Sequence, residues 1–248
     1  AIINQLNVPR YGLGNYLEDK PIVKATKEEE NIIANLSRAG KRLMGFCRTN
    51  LFKRLESSGY SFLLSLSRHI LRNYIFIYAI ENRLPLPIGK NISHNLDEFL
   101  DDEDLDKIDG DVFLNLILSE EVYLSQAKRV YNLYCSDKYK KKFEWIKSEL
   151  FTKALQRKLI EDSRAIIEIL ELGKDWNPDE DKQLNALYHL VNHTHKGEKV
   201  LIFTQFADTA LYLFQQLKNR NIEQIDYVTG DVESPTAVAH RFSPVSNK

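Results

Sequence analysis

A chain of 248 residues with 43% hydrophobic and 28% charged residues has ordinary globular composition, which excludes wholesale disorder and leaves room for two domains. The formal net charge of −1 excludes a uniformly basic surface. No apolar run approaches the roughly 18 residues of a membrane span, and the N-terminal stretch lacks the basic-then-apolar order of a signal peptide. Cys47 and Cys135 are far apart and have no CxxC spacing, so free thiols in a reducing compartment, the cytoplasm, are expected. A first residue that is not Met and a last stretch, SNK, without a closing element lead us to expect a segment of a longer protein.

Charge is segregated along the chain. Basic residues dominate between Arg38 and Arg72, whereas nine acidic residues fall between Asp97 and Asp111. A near-neutral total therefore permits a local basic face, although a solvated surface is the plainer reading.

Residues 1–27 contain Pro9, Gly12, Gly14 and Pro21 with little periodicity and read as an irregular arm. Ile32, Ile33, Leu36 and Leu43 predict a helix over about 28–43, and Leu51, Phe52 and Leu55 a short helix ended by Ser57, Ser58 and Gly59. Phe62, Leu63, Leu66, Ile70, Tyr74, Ile77 and Ile80 then mark a long amphipathic helix, stopped by Pro85, Pro87 and Gly89. The acidic stretch 91–110 reads as an exposed loop or weak helix; a calcium loop is the sharper alternative, but the required DxDxDG order occurs in no frame.

Residues 111–173 return to helical spacing and predict two or three helices, with a basic patch at 138–142 near a joint. Tyr131, Tyr134, Tyr139 and Trp145 beside those lysines resemble a base-stacking platform, but their spacing favours packing. Asn177, Pro178 and Glu180 mark a helix start with cap, first position and capping-box acid. His189, His193 and His195 follow, without the acid or third ligand of a zinc motif, and read as helix-end and loop histidines.

The run Val200, Leu201, Ile202, Phe203 predicts a strand buried on both faces. Ala210, Leu213, Phe214 and Leu217 predict a helix, and residues 225–229 a second strand. Strand, crossover helix and strand form a βαβ unit, whose functional edge is the carboxyl end of the strands. Thr204, Gln205, Thr229, Gly230 and Asp231 fall at that edge. The fold class expected is thus mainly α with a small α/β part.

KVLIFTQFADTALYL (199–213) resembles motif IV of superfamily two helicases of the Swi/Snf type, which are DNA-dependent ATPases. YVTGD (227–231) and HRFSP (240–244) are similar to the steps that follow it, and LFKRLESSGYSFLLSLSRHI (51–70) resembles the KRLESS signature of a bacterial branch of these ATPases. That branch includes large helicase-like proteins of phage-defence and restriction-type systems such as DISARM. The resemblance covers the chain from about residue 39 onward.

After the irregular arm or linker at 1–27, it implies a helical insertion at 28–173, and at 174–248 the start of a C-terminal RecA-like lobe that stops before motifs V and VI. No GxxxxGK[ST] loop or DExH box occurs in the chain. Family members bind ATP and magnesium between two lobes, so the resemblance implies that this segment does not hydrolyse ATP alone. Its implied role is to hold the backbone of double-stranded DNA through Thr204, Gln205, Thr229, Gly230 and Asp231. The implied partners are the N-terminal ATPase lobe of the same protein and other subunits of a defence or restriction-type system. Lys53 and Arg54 are candidate basic contacts, but the stronger reading is that Lys53, Arg54, Glu56 and Ser57 staple the insertion to the βαβ core through salt bridges and caps. Two other functions fit the residues less well: a helical protein-interaction module, and a small-molecule α/β enzyme, for which the strand ends offer only Asp231 and Asp208 as acids.

Overall fold

The computed structural model describes residues 2–89, 119–230, 232 and 234–243. Among them the chain is mainly α, with one two-stranded antiparallel sheet. It divides into two compact units, Ala1–Lys53 with Leu63–Lys174, and Arg54–Phe62 with Asp175–Lys248. The acidic stretch read as a loop and Asp231 lie outside the described residues.

The first unit opens with α1 (Ile2–Gln5) and two 3-10 turns, Pro9–Tyr11 and Leu13–Tyr16. Its arm is tied down at several points. The Asp162 carboxylate accepts the backbone N–H groups of Asn7 and Val8 and the Asn7 side-chain amide at 2.6–2.9 Å. Further along, Glu18 N–H donates to Leu150 O and Thr152 N–H to Tyr16 O. Val8 has φ 43°, a left-handed conformation costly for a β-branched residue, and Asp162 grips the chain at that point.

Helix α2 (Lys27–Ser57) begins with a reciprocal capping box: Thr26 Oγ1 accepts from Glu29 N–H at 3.2 Å, and Glu29 Oε2 from Thr26 N–H at 2.8 Å. The two helices expected over 28–43 and around 51–55 are therefore one, because no proline interrupts the intervening residues. Ser58 separates it from α3 (Gly59–Glu81), whose first turn it caps by accepting Ser61 N–H at 3.4 Å. The last turn of α2 and the first turn of α3 belong to the second unit.

From Leu63 onward α3 is buried on nearly every side, rather than along one stripe. Leu66, Ile70, Leu71 and Ile75 are core, but so are Ser67, Arg68, His69, Arg72 and Asn73. The polar face looked solvent-exposed in sequence, yet the arm and α5 (Lys153–Leu172) supply its partners. Arg10 donates to Asn73 Oδ1 at 2.9 Å and lies 3.3 Å from His69 Nδ1, while the Asn73 amide donates to Ser163 Oγ at 3.2 Å. On another side Tyr74 stacks on Tyr123 of α4 (Glu120–Tyr134), whose hydroxyl lies 2.8 Å from Ser67 Oγ.

The sheet was not anticipated. Strand β1 (Leu86–Gly89) pairs with β2 (Phe143–Ile146), Leu86 opposite Ile146 and Gly89 opposite Phe143. A four-residue strand shows too few residues to distinguish period two from helical spacing, and Pro87 is tolerated because a two-stranded ribbon always has a free edge. Tyr131, Tyr134 and Trp145 pack here: Tyr134 stacks on Phe143 at 4.3 Å, and Tyr131 meets Trp145 edge-on.

The second unit contains α6 (Lys182–His189), a π-helical turn at Leu190–Thr194, α7 (Ala207–Asn219) and α8 (Pro235–Phe242). Leu184, Tyr212 and Leu217 form its core, with Tyr60, Trp176, Leu187, Tyr188 and Ile225 packed around them. The helix expected between two strands is thus present as α7. Residues 200–203 and 225–229, however, carry no regular secondary structure, and no strand ladder includes them among the described residues. Leu201 is 63% and Phe203 87% exposed, where a strand covered on both faces was expected. A parallel strand needs backbone partners on its edges, and no described segment supplies them, so water takes the exposed N–H and C=O groups.

Candidate nucleic-acid interface

The entrance of α7 is held by the last turn of α2. Arg54 is buried and pairs with Asp208 in the first turn of α7 at 3.1 Å, and its guanidinium lies 4.7 Å from the centre of the Phe206 ring. One turn on, Ser57 Oγ lies 3.0 Å from Thr209 Oγ1 and 3.3 Å from Thr204 Oγ1. Thr209 in turn donates to Ser61 Oγ at 3.2 Å. Four hydroxyls therefore form a chain that runs from buried Ser61 and Thr209 through half-buried Ser57 to exposed Thr204, and it positions Thr204 at its outer end. Thr204 also accepts Phe206 N–H at 3.4 Å, turning the chain into α7.

A second clamp joins the α3 end of the same segment to α6. Trp176 packs against Gly59, where an added Cβ would come within 2.5 Å of the indole, so only glycine permits the approach. The indole N–H donates to Tyr212 Oη at 3.3 Å, and Tyr212 donates to Asp181 Oδ2 at 2.9 Å. Asp181 Oδ1 accepts the N–H groups of Gln183 and Leu184, capping α6. Burial, reinforced by the Asp181 carboxylate, pushes the Tyr212 phenol up to about 12, so it remains a donor throughout the neutral range. Tyr60 stacks on Tyr212 at 4.9 Å. The expected cap at Asn177 exists, accepting from Asp179 N–H, but it starts only the 3-10 turn Pro178–Glu180.

The residues assigned to phosphate contact are divided. Thr204 and Gln205 are exposed at the entrance of α7. Thr229, half-buried, accepts Val232 N–H, and Gly230 is exposed in the turn beyond it. Asp231 lies outside the described residues. Lys53 is exposed in the first unit, while Arg54 has its guanidinium turned to Asp208 and Phe206.

Nearby, Arg241 forms an ion pair with Asp226, and its hydrogen bond holds that carboxyl below the usual range. The two line a shallow cavity of about 400 Å³ with Tyr227 and Val238. Of the histidines, His189 and His193 lie ring to ring at 4.9 Å, and His195 contacts Glu198 at 2.9 Å; no cluster of three metal-ligating side chains occurs among the described residues. Sequence reasoning missed Asp181, Tyr212, Ser57 and Thr209 as a set, because nothing in their spacing announces that they meet.

Compared with family models, curated protein sequences and solved structures, the chain matches none.

Proposed function

We propose that this chain is part of an ATP-driven DNA translocase or helicase-like protein of the Swi/Snf type, and that its second unit begins the C-terminal RecA-like lobe. One observation carries this reading. The stretch that resembles the KRLESS signature and the stretch that resembles motif IV meet in one unit, through Arg54 with Asp208 and Ser57 with Thr204 and Thr209, although Arg54 and Asp208 are 154 residues apart in sequence. Two chance resemblances carry no reason to be in contact. Two parts of one family's machinery do.

In this reading the KRLESS segment positions the motif IV loop. Arg54 braces α7 and leaves phosphate contact to Lys53. Thr204, Gln205, Thr229, Gly230 and Asp231 hold the DNA backbone with hydroxyl, amide and backbone N–H groups, which read no sequence. ATP and magnesium belong to the N-terminal ATPase lobe of the same protein, and assembly with other subunits to the defence or restriction-type system it serves.

The chain should bind duplex DNA with a dissociation constant of about 10⁻⁴–10⁻⁶ M at physiological salt, weakening steeply as salt rises. Paired Thr204→Ala and Gln205→Ala changes should reduce binding, and ATP turnover by this chain should be absent. Turnover by this chain alone would overturn the proposal.

The exposed apolar run Leu201, Ile202 and Phe203 favours one alternative, a helical module that docks another subunit. A chain that ignores duplex DNA at low salt, but whose assembly is abolished by Phe203→Ser, fits that alternative.

A further inference from the structure

Between α4 and β2 the first unit carries the sequence Lys138, Tyr139, Lys140, Lys141, Lys142, which the function proposed above does not use. The turn is firmly built. Tyr139 and Lys140 both donate backbone N–H groups to Ser136 O, Lys142 N–H donates to Tyr139 O, and residues Lys140–Lys142 form one 3-10 turn. The indole N–H of Trp145 donates to Lys140 O at 3.1 Å, and Phe143, which follows directly, stacks on Tyr134. All four lysines are exposed. Some other cations of this unit find carboxylates: Lys147 pairs with Glu29, Lys158 with Glu161 and Arg164 with Glu120. Lys140, Lys141 and Lys142 form no ion pair among the described residues. Three adjacent like charges on a rigid turn repel one another, and an external polyanion relieves that repulsion.

We propose that this lysine turn is a docking knob for the sugar-phosphate backbone of a nucleic-acid duplex. The shape selects this partner. A 3-10 turn has three residues per turn, so successive lysines point about 120° apart. Cations splayed around a convex knob reach phosphates on both walls of a duplex groove, whereas a flat acidic protein patch meets only one of them at a time. Of the aromatic residues beside the turn, half-buried Tyr139 has the Lys138 ammonium 4.9 Å from its ring centre, and the other three do not add base stacking. Tyr131 and Tyr134 are buried, and Trp145 is engaged edge-on with Tyr131 and Phe143. Recognition is therefore through phosphates, independent of sequence. This surface lies in the first unit and does not depend on the second unit gripping DNA.

Cys135 provides a local reporter, because the residue is exposed next to this turn, and although burial pushes its thiol up, the Lys140 charge opposes that rise. In the chain carrying Cys47→Ser, the rate at which a maleimide modifies Cys135 is measured with and without a short mixed-sequence DNA duplex at low salt. Docking should slow labelling several-fold. The combined changes Lys140→Gln, Lys141→Gln and Lys142→Gln should remove this protection and lower the slope of log affinity against log salt by about 2–3, near 0.9 per phosphate contact. Thr204→Ala should leave the protection intact, which separates this surface from the one in the second unit. Three results would overturn the proposal: labelling that duplex DNA does not slow, protection that survives the triple change, or polyglutamate protecting as well as the duplex does.

Discussion

The two units are held by different forces. In the first, a central helix buried on nearly every side supplies Leu66, Ile70, Leu71 and Ile75 to a continuous apolar core, and even its polar residues are enclosed by the arm and α5. In the second, the core is built around the cluster Leu184, Tyr212 and Leu217, and directional contacts surround it: an ion pair, a hydroxyl cluster and the Trp176–Tyr212–Asp181 chain. Apolar burial scales with area and tolerates imprecision, whereas a buried polar network holds one geometry and fails when a single member is removed. The unit that carries the candidate interface is thus the one in which directional contacts, including the one to Thr204, make up more of what holds it.

The sharpest way to break this comparison is a core deletion. Ile70→Ala should cost about 4 kcal/mol, because a fully buried aliphatic side chain leaves a cavity that a packed helix cannot collapse around. Urea denaturation measures the loss, and amide exchange should rise in α4 and α5. A smaller effect, about 3 kcal/mol, is expected for Arg54→Met in the second unit, where the Asp208 carboxylate loses its cation. Adding Asp208→Asn to that change should recover part of the loss, and a double-mutant cycle reads the coupling. If Arg54→Met costs nothing, the second unit does not rely on directional contacts and the contrast fails.

Much of the helical content was legible in sequence, because 3.6-residue spacing survives wherever one element is long. The stripe from Phe62 to Ile80 and the prolines that stop it marked α3 well. What periodicity concealed was coverage. His69 and Asn73 looked like an outer face because their partners, Arg10 and Ser163, lie 63 and 90 residues from Asn73, and Ser67 because its partner Tyr123 lies 56 residues on. The β1–β2 pair was hidden for the same reason, since Leu86 and Ile146 are related only by register. At the candidate interface, sequence named Thr204 and Arg54 and favoured a stapling role for the KRLESS segment. It named Ser57 on the KRLESS side of that staple but not Asp208 and Thr209 as the side chains that receive it, because a partner 152 or 154 residues away has no signature until its neighbour is known.

The smallest expected effect sharpens the comparison inside the first unit, where two buried carboxylates anchor chain segments with opposite pH responses. Burial tends to raise the Glu29 carboxyl, but hydrogen bonds from Thr26 and Lys147 and the charge of Lys147 outweigh it, and its pKa is lowered. Its stabilisation is present above the ordinary carboxylate range and disappears as pH falls through the depressed folded value. Burial raises Asp162 more than the N–H groups of Asn7 and Val8 lower it, so its pKa is raised. Its contribution is fullest below the unfolded value and is lost as pH rises through the folded one. Between pH 3 and 6, Glu29→Gln should therefore flatten the rise of stability with pH, and Asp162→Asn should steepen it. Denaturant titrations across that window measure both slopes, and slopes that change in the same direction would show that the arm clamp and the α2 cap are electrostatically alike.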